Sequence, residues 1–190
     1  ESKTPLREDA IYRMFSNTKL VTSVALMMLC EQGKIQLDDR LDAYIPVFAD
    51  LKVLVPDAKN IDDLEDLQSP ITIRQVLSHS AGFSYGFVDP FSTIDRAYLK
   101  RGLNIMDGFD GSLEDLCNKL AEFPLAYQPG TGWAYSLATD VAARLVEVVS
   151  GQGFDVFLKE NIFTPLGMDD TGFCVEKGQL DRLITMSVPN

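Results

Sequence analysis

The sequence predicts a predominantly helical fold, on three observations. Apolar residues from Leu20 to Leu29 cover most of a helical surface. A second run places apolar residues at 137, 138, 141, 142, 145, 146, 148 and 149, the spacing of one helix face. Alternating apolar and polar runs are almost absent, and only Leu183 to Val188 reads as a strand.

The elements follow in order. Residues 1–9 are polar, carry no signal-peptide pattern and read as a loop. The first helix is expected to be buried on nearly all sides, with Gly33 as its stop. Residues 34–70 hold Pro46, Pro56, Pro70 and many acids, and read as a long surface excursion. Thr72 and Gln75 form a capping box that opens a short helix through Leu77. Residues 80–111 read mainly as loop, with a short helix near Ile94 to Leu99. Ser112 and Asp115 cap a helix that runs to about Glu122, ahead of Pro124. Pro129, Gly130 and Gly132 mark a turn before the helix at 137, which Gly151 ends. Phe154, Phe157, Leu158 and Ile162 give a last helix, stopped by Pro165.

Composition excludes several function classes. The 190 residues carry a formal net charge of −11, the wrong sign for binding nucleic-acid phosphates. The apolar run at 20–30 is too short for a membrane span. Cys30, Cys117 and Cys174 are far apart and lack metal-ligand spacing, and His79 is the only histidine. Neither a metal nor another cofactor is expected.

Three candidates for chemistry remain. Ser16 and Lys19 form a Ser-x-x-Lys pair at the entry to the first helix, so hydroxyl and ammonium share one face. A serine hydroxyl needs a base to become a nucleophile. A lysine whose pKa is lowered by burial or by a helix N-terminus meets that need. Gly82-Phe83-Ser84-Tyr85-Gly86 matches the nucleophile elbow G-x-S-x-G. The elbow requires a preceding strand and a later histidine, and this stretch has neither. The glycines are read as serving loop geometry, and His79 as a structural hydrogen-bonding residue. Tyr135 stands at a turn before a helix N-terminus, where a phenolate is favoured.

Three stretches taken together carry a family resemblance. They are Tyr12 to Ser23 around Ser16 and Lys19, Ile71 to Gly82 around Leu77-Ser78-His79, and Pro129 to Leu137, followed by Gly151 and Pro165-Leu166-Gly167-Met168. In this order they resemble the serine β-lactamase-like superfamily, which includes class C β-lactamases, penicillin-binding D-alanyl-D-alanine peptidases and family VIII carboxylesterases. The resemblance implies an α+β fold, of which this chain covers the nucleophile helix (about 15–33) and the helical domain (about 34–175). Most of the antiparallel sheet and the family's third motif are not in this chain. Such a piece is expected to leave an apolar face of the Ser16 helix uncovered.

The resemblance also implies roles. Ser16 is the acylated nucleophile, and its backbone N–H forms half of the oxyanion hole. Lys19 is its proton acceptor or the group that tunes it, and Tyr135 is the general base or proton relay. Leu137, Trp133 and Tyr85, with Phe87, are expected to line an acyl pocket. The β-lactamase form of the tyrosine motif is Tyr-x-Asn, whereas here it is Tyr135-Ser136-Leu137. The lost amide favours a carboxylesterase acting on short-chain acyl esters. A β-lactamase, a D-alanyl-D-alanine peptidase, an acyltransferase and a penicillin-recognising scaffold are the alternatives. The expected partner is a small-molecule ester or β-lactam.

Overall fold

The computed structural model describes residues 5–103 and 108–185. Helix α5, Ala138–Ser150, is the hub of the packing. It buries Ala138, Val141, Ala142, Leu145 and Val146 of the positions that the spacing singles out, while Val148 is exposed and Val149 half-buried. Against it pack α1 (Thr18–Glu31), α2 (Ile73–Leu77), α4 (Leu113–Leu120) and α6 (Phe154–Leu158), the last continuing as a π turn over Lys159–Phe163. Gly151 adopts a left-handed φ of 73° and ends α5, because a β-carbon there would strain the backbone. A further helix, α3, spans Thr93–Lys100.

Helix α1 corrects one expectation. It buries Thr22, Ala25, Leu26 and Leu29 against the rest of the chain, but only on that side. On the opposite side Leu20, Val24 and Met27 are 68%, 51% and 44% exposed. Nothing among the described residues covers them, which matches the apolar face expected of a helix whose sheet is not in this chain.

Residues 34–70 give a second correction. They do not form a surface excursion. Strand β1, Lys52–Leu54, pairs antiparallel with β2, Leu64–Asp66, with Val53 opposite Glu65. Leu125 closes the other edge of β1, its N–H donating to Lys52 O at 2.8 Å. Leu41, Ile45, Phe48, Leu51, Val53 and Leu54 all enter the core. The prolines and acids mark the turns between these apolar anchors, not a solvated loop.

Both capping boxes form. Gln75 N–H donates to Thr72 Oγ1 at 3.3 Å and Thr72 N–H to Gln75 Oε1 at 2.8 Å. Ser112 and Asp115 make the equivalent reciprocal pair at the start of α4, which ends at Leu120. At the predicted terminal strand, Leu183 makes a single parallel bridge to Ile11. Residues 186–188 of that strand lie outside the described residues. Cys117 is buried, Cys30 half-buried and Cys174 exposed, and all three are free thiols. No described helix is long and apolar enough to cross a membrane.

Candidate active site

Ser16 lies in a tight 3-10 turn, Phe15–Asn17, that runs directly into α1. The residue before it, Phe15, has a φ of +43°. A bulky side chain rarely adopts that region, so the turn stores local strain beside the serine. Lys19 follows in the first turn of α1 and points to the same cleft.

The partner of the serine is Tyr135. Ser16 Oγ and the Tyr135 hydroxyl are 2.8 Å apart. The Lys19 ammonium sits 4.8 Å from the centre of the Tyr135 ring and donates to the Tyr85 hydroxyl at 3.4 Å. The Tyr85 and Tyr135 rings stack almost parallel, 4° apart in plane, with centroids 5.3 Å apart. Lys19 therefore touches both phenols.

The electrostatics reverse the expectation of a lysine made basic by a lowered pKa. Burial pulls the Lys19 pKa down, but its polar contacts with Tyr135 and Tyr85 outweigh that and raise it. Burial pushes Tyr135 up, and the polar contacts with Lys19 and Ser16 and the Lys19 charge outweigh that and lower it. A cationic lysine thus favours a tyrosinate that touches the serine.

Backbone bonds hold Tyr135 in place. Ala134 N–H donates to His79 O at 3.1 Å, and Leu137 N–H donates to Ser84 O at 3.1 Å. The segment 79–84 therefore runs alongside the segment that carries Tyr135. His79 adopts a left-handed φ of 56°. Its Nδ1 accepts from Ser136 N–H at 3.2 Å and lies 3.0 Å from Ser136 Oγ. The accepting Nδ1 leaves the proton of the neutral ring on Nε2. Burial, helped by the Lys19 charge, lowers the His79 pKa, so the ring is neutral at pH 7. This is the structural histidine that the sequence predicts.

The cleft has a volume of about 720 Å³. Ser16, Lys19, Tyr85 and Tyr135 line it, and Phe87 lies edge-on to Tyr85 with centroids 4.8 Å apart. It continues along α5 past Asp140 and Ala143 to Phe154 and Phe173. Of the expected pocket residues, only Tyr85 and Phe87 line the cleft. Leu137 is fully buried as the cap of α5 and is outside the lining. Trp133 is 68% exposed and also outside it, near the His79 ring. The residue two after Tyr135 turns inward here, because α5 needs an apolar residue at its N-terminus to seat on the core.

Sequence reasoning missed Phe15, Asp140, Phe154 and Phe173. Asp140 carries a readable signal, an acid in the first turn of a helix that begins three residues after the tyrosine. Burial raises its pKa and the Lys19 charge opposes that rise. Phe154 and Phe173 lie far from the motifs in sequence and give no local signal.

Ser84 is not a nucleophile in an elbow. It is 5% exposed and bonds to the buried Asp95. Gly82 has a φ of 94°, and a β-carbon there would fall 2.6 Å from Tyr127 O. Its loop is packed, with no strand–turn–helix geometry.

Comparison with known proteins shows the family. The family model described as Beta-lactamase matches residues 1–189, and the chain belongs to that family. It is 35% identical over 172 residues to the lovastatin esterase of Penicillium rubens, covering 90% of this chain and 41% of that protein. It is 33% identical over 174 residues to esterase EstB of Burkholderia gladioli, covering 91% of this chain and 41% of that protein. Among solved structures it resembles EstCE1, described as a hydrolase with promiscuous acyltransferase activity. That likeness has a TM-score of 0.76 at 30% identity and covers 95% of this chain and 44% of the other. The chain thus spans less than half the length of the relatives it matches.

Proposed function

We propose that this chain carries the nucleophile half of a serine hydrolase that cleaves short-chain carboxylic esters through an acyl-enzyme on Ser16. The observation that carries the reading is the 2.8 Å contact between Ser16 Oγ and the Tyr135 hydroxyl, with Lys19 beside both phenols. The tyrosinate takes the serine proton as Oγ attacks the ester carbonyl. The Ser16 N–H stabilises the oxyanion of the tetrahedral intermediate. Tyr135 then returns the proton to the departing alcohol, leaving the acyl group on Ser16. Water, deprotonated by the same tyrosinate, attacks the acyl carbonyl, and Tyr135 passes that proton to Ser16 Oγ as the acid leaves.

Two observations favour esters over β-lactams. The site offers no amide at position 137, since Leu137 is apolar and buried. Two of the relatives, those of Penicillium rubens at 35% identity and Burkholderia gladioli at 33%, are named as esterases. Acyl transfer is the second reading, because an alcohol in place of water would resolve the same intermediate. The printed description of EstCE1 and the name of the acyltransferase calJ of Penicillium decumbens, 32% identical over 178 residues, support it.

The test uses the intact protein with short p-nitrophenyl esters. Turnover that Ser16→Ala abolishes supports the reading. Turnover that survives the substitution contradicts it, and cephalosporin hydrolysis as fast as ester hydrolysis replaces it with a β-lactamase.

A further inference from the structure

The G-x-S-x-G stretch is not a nucleophile elbow, yet a buried carboxylate anchors its loop beside the cleft. We infer that Asp95, buried beneath this loop, is a positioning residue that holds Tyr85 against Lys19 and Tyr135. The inference rests on the proposed function for what Lys19 and Tyr135 do.

Asp95 lies in the first turn of α3 and is 1% exposed. Its carboxylate accepts three bonds from one short segment. Oδ1 accepts from the Ser84 hydroxyl and from Gly86 N–H at 3.1 Å, and Oδ2 accepts from Asp89 N–H at 2.8 Å. Ser84 N–H donates to the hydroxyl of Tyr98, which is itself buried. Donors from residues 84 and 86 face inward, so the side chain between them, Tyr85, faces the cleft. Gly86 makes this possible with a φ of 89°. On the outer side Ser84 O accepts from Leu137 N–H, which ties the loop to the segment carrying Tyr135.

Three donors converge where only a carboxylate has enough acceptor capacity. Asparagine at position 95 would point an N–H₂ group at a donor and break at least one of the three bonds. Charge-assisted bonds are the stronger kind, so their loss frees the loop. Tyr85 then no longer pins the ammonium beside Tyr135. The groups that face Lys19 and Tyr135 are Ser16 from the preceding turn, Tyr85 from this loop, His79 beside the phenol ring and Asp140 from α5. Glu147 and Asp155 also line the cleft, and Glu147 is already paired with Arg144.

The experiment is a double-mutant cycle in the intact protein, read as the pH profile of kcat/KM for a neutral p-nitrophenyl ester. Tyr85→Phe and Asp95→Asn should each move the acid limb to higher pH, by about half a unit to one unit, because the phenolate loses its nearby cation. The double variant should move it no further than Tyr85→Phe alone. Ser84→Ala keeps both backbone donors and should give a smaller shift in the same direction. If Asp95→Asn does not fold, Ser84→Ala takes its place in the cycle. An acid limb left at its wild-type pH, or shifts that add in full, would overturn the inference. Absence of ester turnover in the wild type overturns the proposed function alone. The positioning role is then read from ultraviolet titration of the phenols, in which Asp95→Asn should raise the lowest tyrosine pKa and an unmoved titration contradicts it.

Discussion

The Ser16 hydroxyl and the Tyr135 phenol, 119 positions apart in the chain, lie 2.8 Å from each other. Helix α1 sets one and the entry to α5 sets the other, and the two helices pack together through their buried faces. The shared core of α1 and α5 therefore determines whether the serine meets the phenol. Tyr135→Phe keeps the ring and its stack on Tyr85 but removes the proton acceptor. It should lower kcat for ester hydrolysis between about a hundred- and ten-thousand-fold. A loss below tenfold would move the base elsewhere.

The pH profile follows from the two opposed shifts. On the proposed mechanism, activity needs Tyr135 ionised and Lys19 protonated. Tyr135 ionises below its ordinary value of 10.0, so activity falls as pH drops through that lowered value. Lys19 loses its proton above its ordinary 10.5, so activity falls again as pH rises through that raised value. The plateau lies between them. Lys19→Met removes the cation, and the acid limb should then move to higher pH, which a profile of kcat/KM measures directly. An unshifted limb would show that Lys19 does not set the ionisation of Tyr135.

His79 should behave as a structural residue. His79→Ala leaves Ser136 without its partner and should cost about 1–3 kcal/mol of stability, read from denaturant unfolding. The acid limb of the activity profile should keep its place, since the ring is already neutral at pH 7. Loss of the limb would make His79 a base.

The exposed stripe on α1 makes a separate prediction. If sheet outside this chain covers Leu20, then Leu20→Asp in the intact protein should cost more than about 2 kcal/mol, the range of a charge forced into a core. A change within about 0.5 kcal/mol, as at an ordinary surface position, would show that the stripe faces solvent.

Much of this was legible in the sequence, and the misses have physical causes. The capping boxes at Thr72 and Ser112 are local chemistry, and both helices begin where they fall. The spacing of α5 reports its buried face directly. Residues 34–70 misled because Pro and Asp dominate the composition, while burial depends on a few anchors such as Leu41 and Phe48. Ser16, Lys19 and Tyr135 were legible as a set through the family resemblance. How they share a proton stayed open, because it depends on Lys19 touching two phenols, one of them on a loop 66 positions away. Leu137 misled for a similar reason: whether the residue two after Tyr135 faces the cleft or the core is decided by how α5 seats, and it faces the core.

The most direct measurement is peptide mass mapping of the intact protein after brief reaction with a p-nitrophenyl ester and an acid quench. The account predicts one acyl group on the peptide containing Ser16, lost in Ser16→Ala and slowed in Tyr135→Phe. Acylation at another residue, Ser84 above all, or turnover with no acyl-enzyme at Ser16, would contradict it.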